Sequence, residues 1–168
     1  KKYDNDSDVL FVELGDTYRL DLYKKYLNEN TYAKMESKIH KNISSYLKEL
    51  FNSISKNDKV YIISAFPKDI DYKNKRRLSP VVKFDGSGKG LLTSATTRRD
   101  GIIGNIDIAA SILADYNLSS KNIVGRPLET IKMKDNKSFI ENVYKKIVSI
   151  SDVRGNIIHS FINSMSII

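Results

Sequence analysis

Gly90-Leu91-Leu92-Thr93-Ser94-Ala95-Thr96-Thr97-Arg98-Arg99-Asp100-Gly101-Ile102-Ile103-Gly104-Asn105-Ile106-Asp107-Ile108-Ala109-Ala110-Ser111-Ile112-Leu113 sets two apolar runs on either side of a polar, glycine-punctuated loop. It opens as a short apolar strand, crosses a polar Thr/Arg/Gly loop and enters a helix at Asp107. Asp107 reads as the N-cap, since its carboxylate can accept the free amide protons of a first turn. Ile108, Ile112 and Leu113 recur at helical spacing and are expected to dock on a sheet. Gly101 and Gly104 suit a backbone that must turn sharply between the two elements.

The chain is one domain's worth of residues, 168, with 40% apolar and 29% charged, the profile of an ordinary soluble globular protein. No run of about 18 apolar residues is present, so no transmembrane helix is expected within it. The opening Lys1-Lys2-Tyr3-Asp4-Asn5-Asp6 has neither an initiator Met nor a signal-peptide core, and the chain is read as a piece of a longer protein. The absence of Cys excludes disulfides and thiolate metal sites. A net charge of +8 admits an anionic partner: nucleic acid, a membrane surface or a cell-wall polymer. The lysines are scattered, however. The one dense cluster, Lys73-Asn74-Lys75-Arg76-Arg77, lacks a stacking platform or recognition motif and reads as a solvated loop, with no specific nucleic-acid binding.

Outward from the opening stretch, Asp8-Val9-Leu10-Phe11-Val12-Glu13-Leu14 reads as a strand buried on both faces of a parallel sheet. Tyr32, Met35, Ile39, Ile43, Leu47, Leu50 and Ile54 repeat every three or four residues, an amphipathic helix whose Met35 fills core. Val60 to Ser64 is a second buried strand, and the pair with its helix predicts a right-handed βαβ unit. Pro80–Phe84 and Leu91–Ser94 flank Asp85-Gly86-Ser87-Gly88-Lys89-Gly90 as a strand-turn-strand at a sheet edge. That turn is not a phosphate loop: Gly90 follows Lys89 where Ser or Thr is needed, Lys83 replaces the first Gly, and no helix follows. From Ser138 a helix resumes through Phe139, Ile140, Val143, Tyr144, Ile147, Val148 and Ile150. Its pattern continues past a break expected at Gly155 through Ile157, Ile158, Phe161 and Ile162 to Met165-Ser166-Ile167-Ile168.

Asp107-Ile108-Ala109-Ala110-Ser111-Ile112-Leu113, with Tyr116-Asn117-Leu118 and Gly125-Arg126-Pro127-Leu128, resembles the D-I-A-P-T-I-L … G-x-P-L segment near the end of alkaline phosphatase superfamily domains. That superfamily includes sulfatases, nucleotide phosphodiesterases and cofactor-independent phosphoglycerate mutases. The resemblance covers about residues 8 to 128 and implies the C-terminal portion of such a domain, a mostly parallel α/β sheet flanked by helices. It implies a two-metal hydrolase or phosphotransferase whose nucleophile lies in an N-terminal half outside this sequence.

Residue by residue, the resemblance also implies a lost metal site. Asp16 stands where one ligand would be, but Leu20 occupies the place of the His that follows it. The S-D-H-G ligand group reads Ser64-Ala65-Phe66-Pro67, and Ala65 and Phe66 cannot coordinate a cation. Residues 79–106 contain no His; His40 and His159 fall within helical patterns and read as surface residues. Asp16 and Ser64 are thus candidates for a vestigial site, with no catalytic residue, metal or cofactor implied. Arg98 and Arg99 could hold an anion bidentately, against a preferred structural role in pinning their loop.

The expectation is a non-catalytic, alkaline phosphatase-like interaction or regulatory domain on the extracytoplasmic face of a larger, membrane-anchored protein. The anchoring follows from the apolar C-terminal drift and a loose likeness to Gram-positive proteins in which such a domain precedes transmembrane helices. Residues 1–137 would form the domain, and 138–168 a linker helix able to pair two copies. The alternative is a metal-dependent phosphoesterase or phosphotransferase completed by the missing half.

Overall fold

The computed structural model describes residues 7–119 and 121–165. Lys1 to Asp6 and the last three residues of the apolar C-terminal drift, Ser166 to Ile168, lie outside the described residues. The chain divides into two compact units, Lys1–Asp58 and Lys59–Ile168.

In the first unit, helix α1 (Asp16–Tyr23) passes through a 3₁₀ turn (Lys24–Tyr26) into the long helix α2 (Glu29–Ser53). Asn28 caps α2, its side-chain oxygen accepting the Thr31 N–H at 2.8 Å. The two helices meet where the Tyr32 hydroxyl donates to the Asp21 carboxylate. That hydrogen bond, with burial and the charges of Asp21 and Glu36, raises the Tyr32 phenol to about 12. Among the described residues of this unit, Leu20 is the buried apolar one. Met35 was expected in a core; it is exposed, on a side of α2 that its packing against α1 does not bury.

The second unit contains four short strands: β1 (Val60–Ile63), β2 (Val81–Phe84), β3 (Leu91–Thr93) and β4 (Glu129–Ile131). A short helix α3 (Asp69–Lys73) lies between β1 and β2, α4 (Ile106–Asp115) between β3 and β4, and α5 (Asn136–Met165) closes the chain. The strands form two separate antiparallel ribbons. β1 pairs with β2 from Val60↔Phe84 to Ile63↔Val81, and β3 with β4 from Leu91↔Ile131 to Thr93↔Glu129.

The expected α/β fold with a mostly parallel sheet is therefore corrected: the described strands make two small antiparallel sheets in a largely helical chain. Asp8–Leu14 forms no strand, and Phe11 is 82% exposed. The run has the composition of a central strand, but a strand exists only against a neighbour, and neither ladder among the described residues includes it. Without it there is no βαβ unit; β1 takes an antiparallel partner instead. The Asp85–Gly90 turn also joins strands of different sheets, since β2 and β3 each find a partner elsewhere in the chain.

α4 organises the second unit. Ala110 and Leu91 are its buried apolar residues, while Asp107, Ser111 and Ser94 are buried polar ones. The helix ends in a Schellman motif: Leu118 N–H reaches Leu113 O at 2.8 Å and Asn117 N–H reaches Ala114 O at 3.0 Å, with Asn117 left-handed at φ 57°. At this end the Asp115 carboxylate gathers three donors from the β1–β2 ribbon: the Tyr61 hydroxyl, Lys59 Nζ at 3.0 Å and Lys83 Nζ at 3.2 Å. Burial alone would raise the Asp115 pKa, but these donors outweigh it and hold the carboxyl below its ordinary value. Tyr61 is pushed above the usual phenol range, first by burial and then by the same hydrogen bond. A hydrogen bond to a charged group contributes more than a neutral one, so Tyr61→Phe should lower stability by about 1.5 kcal/mol or more. Chemical denaturation of the wild type and variant, with unchanged circular dichroism, checks this.

Candidate functional site

Asp107 lies at the second position of α4; the N-cap position belongs to Asn105, whose side chain makes no capping bond. The Asp107 carboxylate accepts the Gly104 N–H at 2.7 Å, from three residues before it, whereas a cap accepts amides of the turn that follows, so the expected N-cap role is corrected. It also accepts the Thr96 hydroxyl at 2.7 Å and the Arg126 N–H at 2.9 Å. The side chain thus joins the loop before α4, the Thr/Arg loop and the Gly125-Arg126 turn through one buried group. Four residues on, the Ser111 hydroxyl donates to Asp107 O at 2.6 Å and accepts the Leu128 N–H at 2.8 Å. The Gly125 turn has φ 114°, and a Cβ there would collide with the Ile106 carbonyl, so glycine is required for this approach.

Burial by itself would push the Asp107 carboxyl up. The Arg126 N–H, Thr96 hydroxyl, Gly104 N–H and Ser94 hydroxyl together overcome it and leave the pKa below the ordinary value. An ionised carboxylate with every nearby donor aimed at it is a structural anion. The first amides of α4 close on backbone carbonyls instead, Asp107 N–H on Gly104 O at 2.9 Å and Ile108 N–H on Asn105 O at 3.3 Å.

Arg98 and Arg99 are exposed on the loop above it, and among the described residues no acidic group pairs with either guanidinium. The loop is pinned by its threonines: Thr97 Oγ1 donates to Ile102 O at 2.6 Å, while Ser94 Oγ accepts the Thr96 N–H at 3.1 Å. Arg98 is left-handed at φ 53°. Its backbone helps close the loop through an N–H bond to Ser94 O at 3.3 Å. Both guanidinium groups are accordingly free to meet an anionic surface. The basic cluster after α3 is folded on itself: Lys73 pairs with Asp69 at 2.6 Å and Arg77 stands 5.0 Å from the Tyr72 ring.

The candidate vestigial residues are engaged locally, each within its own unit. Asp16 opens α1 and pairs with Arg19 on an exposed face. Ser64 follows β1, and its hydroxyl donates to Phe66 O at 3.1 Å. Leu20, at an expected ligand position, is the packed core of its unit, whereas Phe66 is exposed. His40 and His159 are exposed on α2 and α5. Among the described residues no grouping of three His, Cys, Asp or Glu side chains could hold a metal ion. The residues present do not fit the two-metal centre that the resemblance implies, and no reaction step is derived through it.

Sequence reasoning found Asp107 and missed Asp115 and Ser111. The signal was present: Asp107, Ser111 and Asp115 recur every four residues on an otherwise apolar helix, one polar ridge on a face that apolar periodicity alone would bury. Comparison of the chain with protein-family models, curated proteins and solved structures gives no match.

Two outcomes follow from this geometry. Asp107→Ala strips the acceptor from several buried donors, so it should cost about 3 kcal/mol or more, above the roughly 1 kcal/mol of a simple cap. Urea denaturation measures the difference, and a loss near 1 kcal/mol would restore the cap reading. Asp107 and Asp115 both have folded pKa values below their unfolded value of about 3.9, so their contribution is complete above it. It is lost as pH falls through the lower folded values. The denaturation midpoint should hold steady from neutral pH to about pH 5 and drop below about pH 4, less steeply in Asp107→Asn.

Proposed function

We propose that this chain is a non-catalytic interaction or regulatory module, completed by an apolar protein surface that covers faces its own residues leave open. The observation that carries this reading is surface area. Two compact bodies of these sizes would together expose about 10,000 Å², whereas the chain exposes 14050 Å². Large apolar side chains are among the exposed ones: Val9, Leu10, Phe11, Val12 and Leu14 in the first unit, and Phe66, Val124 and several at the end of α5 in the second. Exposed patches of that extent mark interaction surfaces. The unpaired guanidiniums of Arg98 and Arg99 favour an acidic rim on whatever covers the second unit, or an anionic polymer beside it.

The setting we propose is a larger, membrane-anchored protein with this module on its extracytoplasmic face, a reading supported by the resemblance of the Asp107–Leu113 and Gly125–Leu128 segments. No helix among the described residues is long and apolar enough to cross a membrane. The competing reading is a metal-dependent phosphoesterase or phosphotransferase with its nucleophile outside this sequence.

Calorimetric titration with zinc and manganese, alongside hydrolysis of a nitrophenyl phosphodiester and binding of an apolar fluorescent dye, separates the two. The expected result is no stoichiometric metal binding, no hydrolysis, and strong dye fluorescence from protein with native circular dichroism. Tight metal binding with turnover would replace the interaction reading by the enzymatic one.

A further inference from the structure

The junction between the β1–β2 ribbon and the end of α4 is ionic. Apolar side chains of the ribbon are poorly covered: Ile63, Val82 and Phe84 are 42%, 53% and 40% exposed. The buried apolar residues described for this unit, Leu91 and Ala110, lie on β3 and α4. No ladder links the ribbon to the β3–β4 sheet. The side chains withdrawn from water at the junction are charged ones, Lys83 at 11%, Asp115 at 15% and Asp85 at 20% exposed. Lys83 Nζ sits between the two carboxylates, 3.2 Å from Asp115 Oδ1 and 3.3 Å from Asp85 Oδ2, and 5.4 Å from the centre of the Tyr61 ring. Lys59 Nζ meets the same Asp115 oxygen at 3.0 Å, and the Tyr61 hydroxyl donates to the other. Asp85 is fixed from its own turn, where it accepts the Ser87 N–H at 2.9 Å and the Ser87 hydroxyl. Among the described residues, then, Asp115 faces Lys59 and Tyr61 at β1, Lys83 from β2 and, across Lys83, Asp85. Two ammonium groups balance two carboxylates.

We infer that Asp115 is a charge-operated latch: ionised, it holds the β1–β2 ribbon on the end of α4, and neutralised, it lets residues Lys59 to Asp85 open as one body while α4 and the β3–β4 sheet stay folded. The inference is independent of the interaction reading above. A proton on Asp115 weakens the acceptor of three donors at once and leaves the Lys59 and Lys83 ammonium groups with Asp85 alone to offset them. A half-buried charge that loses its partner is strongly disfavoured, and the ribbon has little buried apolar area to hold it in place against that. Segments held so thinly open separately from the rest of a fold. The Asp107 anchor is a different one, since its donors come from Thr96, Gly104 and Arg126, outside the ribbon. Asp115 and Asp85 are both held below the ordinary carboxylate value, so the closed state is fully favoured above about pH 4 and lost as pH falls through their folded values.

Hydrogen exchange of the full chain, corrected for the intrinsic rate at each pH, tests this. Asp115→Asn keeps the shape of the side chain and removes its charge at neutral pH, where Asp107 stays ionised. The amides of β1 and β2 should lose about tenfold or more of their protection in it, while those of β3, β4 and the body of α4 keep theirs. In wild type the gap in protection between the two ribbons should widen as pH falls from 7 to about 4. In Asp115→Asn the gap should be wide already and change little over that range. Tyr61→Phe, which keeps both ion pairs of Asp115, should show the same ribbon-confined loss in milder form. Ribbon amides that keep wild-type protection in both variants, a loss shared equally by β1–β2, β3–β4 and α4, or an Asp115→Asn chain that unfolds outright would each overturn the latch.

Discussion

The Asp107 carboxylate is the constraint on which the second unit depends. A buried ionised group is tolerated only where donors replace the water it has lost, and those donors must come from several segments at once. Thr96, Gly104 and Arg126 supply them, so the Thr/Arg loop, the entry to α4 and the Gly125 turn can each take only the conformation that brings its donor to this side chain. Ser111 and Asp115 extend the same ridge along α4, holding Leu128 and the β1–β2 ribbon respectively. Three polar residues on one helix face thereby organise a unit whose buried apolar residues are only Leu91 and Ala110 among those described.

That division of labour has a cost. Hydrogen bonds fix geometry well, but each contributes little net free energy once the lost water contacts are counted. Burial of apolar area is the larger source of stability, and here much of that area is still in water. A chain so arranged is well specified locally and thinly stabilised globally. On the interaction reading proposed above, a surface that covers Val9, Leu10, Phe11, Val12, Leu14, Phe66 and Val124 would add to its stability. In such a molecule folding stability and association draw on the same side chains, so binding a partner raises stability directly by mass action.

The candidate site was legible in part. Asp107 stood out because an acid before a run of Ile and Ala has few local explanations, and its bond to Gly104 is the local one. Its other two partners, Thr96 and Arg126, lie 11 and 19 residues away in sequence, and no local pattern announces them. Asp115 was overlooked for the same reason: its donors Tyr61 and Lys83 come from strands 54 and 32 residues earlier. The metal-ligand argument needed only residue types, because Leu, Ala and Phe lack a donor atom in any fold.

Legible in the sequence were α2, α4 and α5, from their apolar periodicity, and β1, β2 and β3, from short apolar runs between turns; α1, α3 and β4 were not. Helices are legible because every backbone bond in them closes within four residues. Strand pairing is a decision between distant segments, and there the tertiary structure ruled alone. It gave β1 an antiparallel neighbour, drew β4 to β3 across α4, and formed no strand at Asp8–Leu14 although its composition is that of a central strand. A strand's residues state that it must be covered on two faces; which chain supplies the cover is a property of the folded assembly, because the ladder hydrogen bonds belong to both partners and to neither alone.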